Sequence, residues 1–305
     1  MTVLITSGSA YSDIDAFACA TALAEALQHK GQTAVAWLPG PPNLTIPAEF
    51  HHHPAFGLSC PAGKYDVILV DLSDPAHIPD ELAVEQVVAV FDHHFGHEEF
   101  WASSDAKTFI EPVGAAATLI WEEILSLKIA QYLSAVVLKA LCCAIVSNTA
   151  CFRLPLTTQR DRDALETIEG MLAIETDWRE RFLREMDDGI FKNLKRALTT
   201  DTKIIQLTAT QSFCVGQIEV HDRARAIESL GSLVAAGEDL PDIVVVAARS
   251  VERTSLVSTR IKVAEKLADF YGVKVAKKDA LFECRLPSFQ LRKMMLQDFS
   301  RVMLD

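Results

Sequence analysis

The chain has 305 residues, half of them apolar, and a formal net charge of −12 at pH 7. This length predicts two domains with a sizeable core. The acidic balance, with no concentrated Lys/Arg run, excludes an extended nucleic-acid surface while leaving room for a local basic pocket. The seven cysteines, Cys19, Cys60, Cys142, Cys143, Cys151, Cys214 and Cys284, form no C-x-x-C pair, and several sit in apolar runs. Reduced, mostly buried thiols in a cytoplasmic protein are therefore expected, rather than a disulfide frame or a zinc site. No apolar segment reaches about 18 residues, and Met1 to Ile5 carries no basic region, so neither a membrane span nor a signal peptide is expected.

Val3 to Ser7 reads as a short buried strand, followed by a loop and then by Asp13-Ile14-Asp15 at the head of an alanine-rich helical pattern, Ala16 to His29. Strand, loop and helix make the first half of a βαβ unit. One Asp at such a junction serves as a helix N-cap; two Asp residues one apart exceed what a cap requires and suit a metal ion as well. Thr33 to Leu38 reads as a second strand. The three consecutive histidines His51, His52 and His53 fall in a stretch without periodicity, where adjacent side chains diverge, and are read as a solvated loop. Tyr65 to Val70 is a third strand ending at Asp71, and Gln86 to Phe91 a fourth ending in Asp92-His93-His94.

Each of three strands is thus followed by carboxylate or imidazole donors. In a parallel sheet these ends share one edge, where ligands of open α/β sheets collect. Asp13, Asp15, Asp71 and His93 are therefore expected to converge there. A mixed carboxylate and imidazole set suits Mn²⁺, Mg²⁺ or a similar divalent ion better than a structural zinc.

Glu111 to Thr118, with its small residues, opens a helix through Leu125; its free N–H groups either face an anion or simply pack tightly. Ala135 to Ser147 is a buried helix ending at Asn148, read as a C-cap or a weak oxygen ligand. Gln159–Leu172 and Trp178–Met186 are amphipathic helices, and Asp187-Asp188-Gly189 is the expected linker. Domains at 1–188 and 189–305 follow. The second begins with a hairpin, 203–209 and 213–220. It continues with a helix at 223–236, strands at 242–248 and 254–258, a helix at 261–271 and a strand at 281–285. A terminal helix opens within 286–294, where Arg292-Lys293 either grips phosphate or forms a solvated face. The predicted class is α/β: a doubly wound, mainly parallel N-terminal sheet domain and a smaller C-terminal α/β domain with a mixed sheet.

These motifs resemble the DHH phosphoesterase superfamily, in particular the branch of family II inorganic pyrophosphatases, cytosolic exopolyphosphatase and the prune proteins. Asp13-Ile14-Asp15-Ala16 resembles the first motif, Val70-Asp71 the second, and Asp92-His93-His94 the signature that names the superfamily. Glu111 to Thr118 resembles the glycine-and-threonine segment that follows. Asp201-Thr202-Lys203 and the run through Arg292-Lys293 resemble the phosphate-contacting segments of the pyrophosphatase second domain. Three positions depart from the pyrophosphatase pattern. Ser9 stands where a ligating histidine is usual, Asn148 where a ligating aspartate is, and Met294 where a second lysine is.

The resemblance implies hydrolysis of a phosphoanhydride in short-chain polyphosphate or pyrophosphate. Asp71 would bridge two divalent ions, Mn²⁺ foremost, with Mg²⁺ or Co²⁺ as alternatives. Asp13 would serve one ion; Asp15 and His93 would serve the other. His94 and Asp15 are the expected catalytic residues. His94, Lys203, Arg292 and Lys293 would hold phosphate. Ser9 and Asn148 are doubtful ligands, and replacing an anionic ligand by an amide weakens a cation site. Two alternatives stand beside this one. The first is a DHH-fold protein that binds a phosphorylated ligand or a protein partner without turnover. The second is a phosphodiesterase on oligonucleotides or nucleotides, although the glycine-rich, histidine-containing motif of those relatives is absent from the sequence. The expected partner is a small phosphorylated substrate, with no membrane.

Overall fold

The structure, a computed structural model, describes residues 2–304 except 9–11, 44, 45, 58, 173 and 250. It divides into two compact units, Met1–Phe182 and Leu183–Asp305.

The N-terminal unit is built on a five-stranded sheet of order β2-β1-β3-β4-β5, every pair parallel. Its strands are β1 (Thr2–Thr6), β2 (Ala34–Ala36), β3 (Tyr65–Val70), β4 (Val87–Asp92) and β5 (Lys107–Ile110). Strands buried on both faces read as near-continuous apolar runs, and β3 and β4 do so. β5 escapes such a reading because Lys107-Thr108-Phe109-Ile110 is a short, half-polar edge strand. The helices are α1 (Ile14–His29), α2 (Glu98–Ala102), α3 (Ala116–Ser126), α4 (Ala135–Asn148) and α5 (Gln159–Met171). α1 is buried over nearly its whole length, and its alanines allow close packing against α3 and α4. The histidine triplet diverges as expected. His51 Nε2 meets the Ile46 carbonyl at 2.7 Å, while His53 lies edge-on to Phe17.

The boundary between the units falls inside α6 (Trp178–Lys192). The expected linker Asp187-Asp188-Gly189 is helical. Asp187 is buried and its carboxylate accepts the amides of His221 and Asp222 at 2.7 and 2.8 Å, which ties this turn of helix into the C-terminal unit.

The C-terminal unit continues with α7 (Leu194–Thr200), β6 (Thr202–Gln206), β7 (Ser212–Val220), α8 (Arg223–Ala235), β8 (Ile243–Ala248), β9 (Arg253–Ser258), α9 (Ile261–Tyr271), β10 (Val275–Lys278), β11 (Leu281–Arg285) and α10 (Arg292–Leu304). The six strands form a mixed sheet of order β10-β11-β9-β8-β7-β6, in which β7 and β8 are the parallel pair. The expected hairpin is β6–β7. Alternate residues feed two cores, one with Val215, Val245 and Leu256 against α9 and α10, the other with Val244, Val246 and Val257 toward α8. α10 starts at Arg292 rather than upstream, because Gln290 is held outside the helix by two bonds with Thr254 Oγ1, at 2.7 and 2.8 Å. All seven cysteines are free thiols. Among the described residues no helix is long and apolar enough to cross a membrane.

Candidate metal centre

β1, β3 and β4 are neighbours and parallel, so their carboxyl ends share one edge of the N-terminal sheet. At the end of β4, Asp92 is fully buried. Its Oδ1 accepts the amides of His93 (2.7 Å) and His94 (3.2 Å) and the His94 ring Nδ1 at 2.8 Å. This carboxylate folds the double-histidine turn. Burial pushes its pKa up, but the hydrogen bond and charge of His94 outweigh that and hold it below its ordinary value. The same bond raises the pKa of His94, whose side chain is 61% exposed.

His93 points the other way. Its Nδ1 meets the Val113 carbonyl at 3.2 Å, which fixes the proton on Nδ1 and leaves Nε2 as a lone-pair donor. Nε2 is buried, has no hydrogen-bond partner, and lies 3.4 Å from Asp71 Oδ1 and 3.9 Å from Asp15 Oδ2. Asp71 Oδ1 is likewise buried and unpartnered. Asp71 follows β3 with a left-handed backbone, φ 53°, its N–H donating to Phe91 O at 2.8 Å. Few L-residues adopt this conformation, and aspartate is one that does. Burial drives the Asp71 pKa well up, and the neighbouring Asp13 and Asp15 carboxylates add to it. Two buried acceptors that face each other at 3.4 Å call for a cation or a proton between them. One ligand atom from each of Asp71, Asp92, His93 and His94 lies within 4.8 Å of the others, which makes a group able to hold a metal ion.

The first motif is engaged differently. Asp13 Oδ1 caps α1, accepting the amides of Asp15 and Ala16 at 3.1 and 3.0 Å. Asp15 is fully buried and accepts Ala116 N and Ala117 N, both at 2.9 Å, and the side-chain amide of Asn148. So the N–H groups at the head of α3 do face an anion, and that anion is Asp15. The approach is close. A Cβ on Gly114 would stand 2.5 Å from Thr149 Cγ2 and 3.1 Å from Asp161 Oδ2.

Asp161, which the sequence reading passed over, locks this loop. Its carboxylate accepts Gly114 N (3.0 Å to each oxygen), Thr118 Oγ1 (2.7 Å), Thr158 N (2.7 Å) and Thr158 Oγ1 (2.8 Å). The signal was the Thr158-x-x-Asp161 spacing, a capping box. Asn148 is the last helical residue of α4, and Thr149 is its C-cap. The expectation of Asn148 as C-cap is thereby corrected. Ala150, Cys151 and Phe152 then turn the chain left-handed, with φ of 47°, 56° and 67°. Ser9 lies outside the described residues.

In the C-terminal unit, Arg292 is buried and its guanidinium is committed. It bonds Asp201 Oδ1 (2.5 Å), the Asp201 carbonyl and the Val215 carbonyl (3.2 Å). Lys203 and Lys293 are exposed; their charges act on Asp201 and Glu219 respectively.

Residues 3–145 match the model of the DHH family, N-terminal domain. A relative from Deinococcus radiodurans, named probable manganese-dependent inorganic pyrophosphatase, is 28% identical over 244 residues, 77% of this chain and 76% of its own. One of the same name from Lactobacillus delbrueckii subsp. bulgaricus is 26% identical over 178 residues, 56% of this chain and 54% of its own. The chain spans about half the length of the curated Lactobacillus relatives it matches. Among solved structures, the Methanococcus jannaschii protein assigned as a family II inorganic pyrophosphatase superposes with a TM-score of 0.63 at 21% identity, all of both chains covered. An exopolyphosphatase-related protein from Bacteroides fragilis gives 0.52 at 12% identity, covering 99% of this chain and 92% of its own. At these identities the structures speak for the fold, an α/β architecture with one parallel and one mixed sheet. Over residues 3–145 the chain is similar to the DHH family N-terminal domain.

Proposed function

We propose that the chain is a divalent-metal-dependent phosphohydrolase that cleaves the phosphoanhydride of pyrophosphate, and of short-chain polyphosphate in second place. The observation that carries this reading is the buried pair of unpartnered acceptors, Asp71 Oδ1 and His93 Nε2, at a parallel-sheet edge. The relatives' names support pyrophosphate as substrate and manganese as metal.

Asp71 and His93 would hold the ion, with Asp92 and His94 beside them. When bound, a divalent cation supplies Lewis acidity and acidifies water for attack on phosphorus. The chain's own contribution is orientation and proton handling. The Val113 carbonyl fixes the His93 ring, so that its lone pair faces Asp71. Asp92 fixes His94, whose exposed ring keeps Nε2 free to meet a phosphate oxygen. Because Asp92 raises the His94 pKa, that imidazole carries a proton more readily than a free histidine and can pass it to the departing phosphate. Lys203 and Lys293, being exposed, are the cations on offer to phosphate, whereas Arg292 holds the C-terminal unit together.

The test is phosphate release by metal-stripped protein resupplied with Mn²⁺, Mg²⁺ or Co²⁺, on pyrophosphate, tripolyphosphate, longer polyphosphate and an oligonucleotide, with Asp71→Ala as control. Release from pyrophosphate with Mn²⁺ that is lost in the control is the expected result. Release from the oligonucleotide alone, or from nothing, overturns the reading. Lys203→Ala and Lys293→Ala should raise KM more than they lower kcat.

A further inference from the structure

We infer that Asn148 sets the metal stoichiometry of the N-terminal unit at one ion per chain, by holding Asp15 with its side-chain amide while Asp71 and His93 remain the open ligand pair. The inference rests on the metal-dependent reading above and narrows it.

Asp15 has no acceptor capacity to spare. Its Oδ1 accepts Ala117 N at 2.9 Å and the Cys19 thiol at 3.5 Å; its Oδ2 accepts Ala116 N at 2.9 Å and the Asn148 amide. A carboxylate offers about four lone-pair sites, and all are taken. Oδ2 is also the oxygen that faces His93 Nε2, at 3.9 Å. The Asn148 N–H therefore occupies the direction from which a cation would reach Asp15. The amide has one workable orientation, since the flipped one would set its carbonyl oxygen against a carboxylate oxygen.

The contrast with Asp71 is within a few ångströms and in the same buried edge. Asp71 Oδ1 and His93 Nε2 have no donor at all. An aspartate at position 148 would reverse the logic at Asp15. Two buried carboxylates would then abut, an arrangement that requires a proton or a cation between them. A single oxygen-for-nitrogen exchange at residue 148 thus separates a hydrogen-bonded carboxylate from a second ion site.

The experiment counts ions rather than turnover. Metal-stripped full chain is titrated with Mn²⁺ by calorimetry, and bound ions are counted by electron paramagnetic resonance. One ion per chain is expected for the wild type, and two for Asn148→Asp, whose low-temperature spectrum shows a spin-coupled pair. Thermal unfolding adds an independent reading. In chelator, Asn148→Asp should melt below the wild type, and it should gain more from added Mn²⁺. Two ions in the wild type, or one in a folded Asn148→Asp variant, overturn the inference while leaving the hydrolase reading intact. Absence of any Mn²⁺ binding overturns both. Should Asn148→Asp fail to fold, the wild-type count decides by itself.

Discussion

Two parts of one sheet edge carry the same residue types and use them in opposite ways. At the β1–α1 junction, Asp15 is saturated by two backbone amides, the Asn148 amide and the Cys19 thiol, and Asp13 Oδ1 accepts two backbone amides. At the ends of β3 and β4, Asp71 Oδ1 and His93 Nε2 are buried with no donor. Donor count, rather than residue type or burial, distinguishes a carboxylate that builds the fold from one that awaits a ligand. The C-terminal unit offers a control. Glu283 is also buried but accepts Ser255 Oγ and Arg223 Nη1, each at 2.5 Å, and Arg285 at 3.1 Å. Burial pushes its pKa up, yet these donors hold it below the ordinary value, whereas the Asp71 pKa stands well above.

The largest effect expected from this contrast is on stability. Asp15→Ala strands two buried amides and should cost about 3–5 kcal/mol in urea unfolding, within the range for lost buried acceptors. A cost under about 1 kcal/mol would return Asp15 to the removable ligands. Asp71→Asn should do the reverse. Mn²⁺ affinity should fall more than about 100-fold, beyond what outer-shell changes produce, while the metal-free protein keeps or gains stability as buried repulsion is relieved. Calorimetry and thermal melts in chelator separate the two outcomes, and asparagine tolerates the left-handed backbone there. Asp92→Asn, which loosens the His94 ring, should lower phosphate release about 10–100-fold with Mn²⁺ still bound. The smallest effect is in acid. Glu283 has a lowered folded pKa, so its stabilisation is present above the unfolded value of about 4.3 and fades as pH falls through the folded one. Glu283→Gln should flatten that limb of the stability curve.

Much of this was legible in the chain. The apolar runs before Asp71 and Asp92 named their strands, and parallel pairing put their ends on one edge. What the sequence could not tell was which donors meet which carboxylate, because the decisive bonds join residues far apart. Asp15 finds Ala116 and Asn148, and Gly114 finds Asp161, through tertiary packing alone. Asp15 therefore read as a ligand beside a bridging Asp71. Arg292 read as a free cation for the same reason, since Asp201 and the Val215 carbonyl reach it only in the folded sheet. β5 and β10 were missed because short, lysine-bearing edge strands carry almost no apolar signal.

The bonds at Asp15 span 101, 102 and 133 residues of chain. Closing a loop of about 100 residues costs roughly 4 kcal/mol in chain entropy by length scaling alone. No fragment short of nearly the whole N-terminal unit can pre-form this corner, so it closes late in folding. Protection of the Ala116 and Ala117 amides from hydrogen exchange during refolding would time that last step.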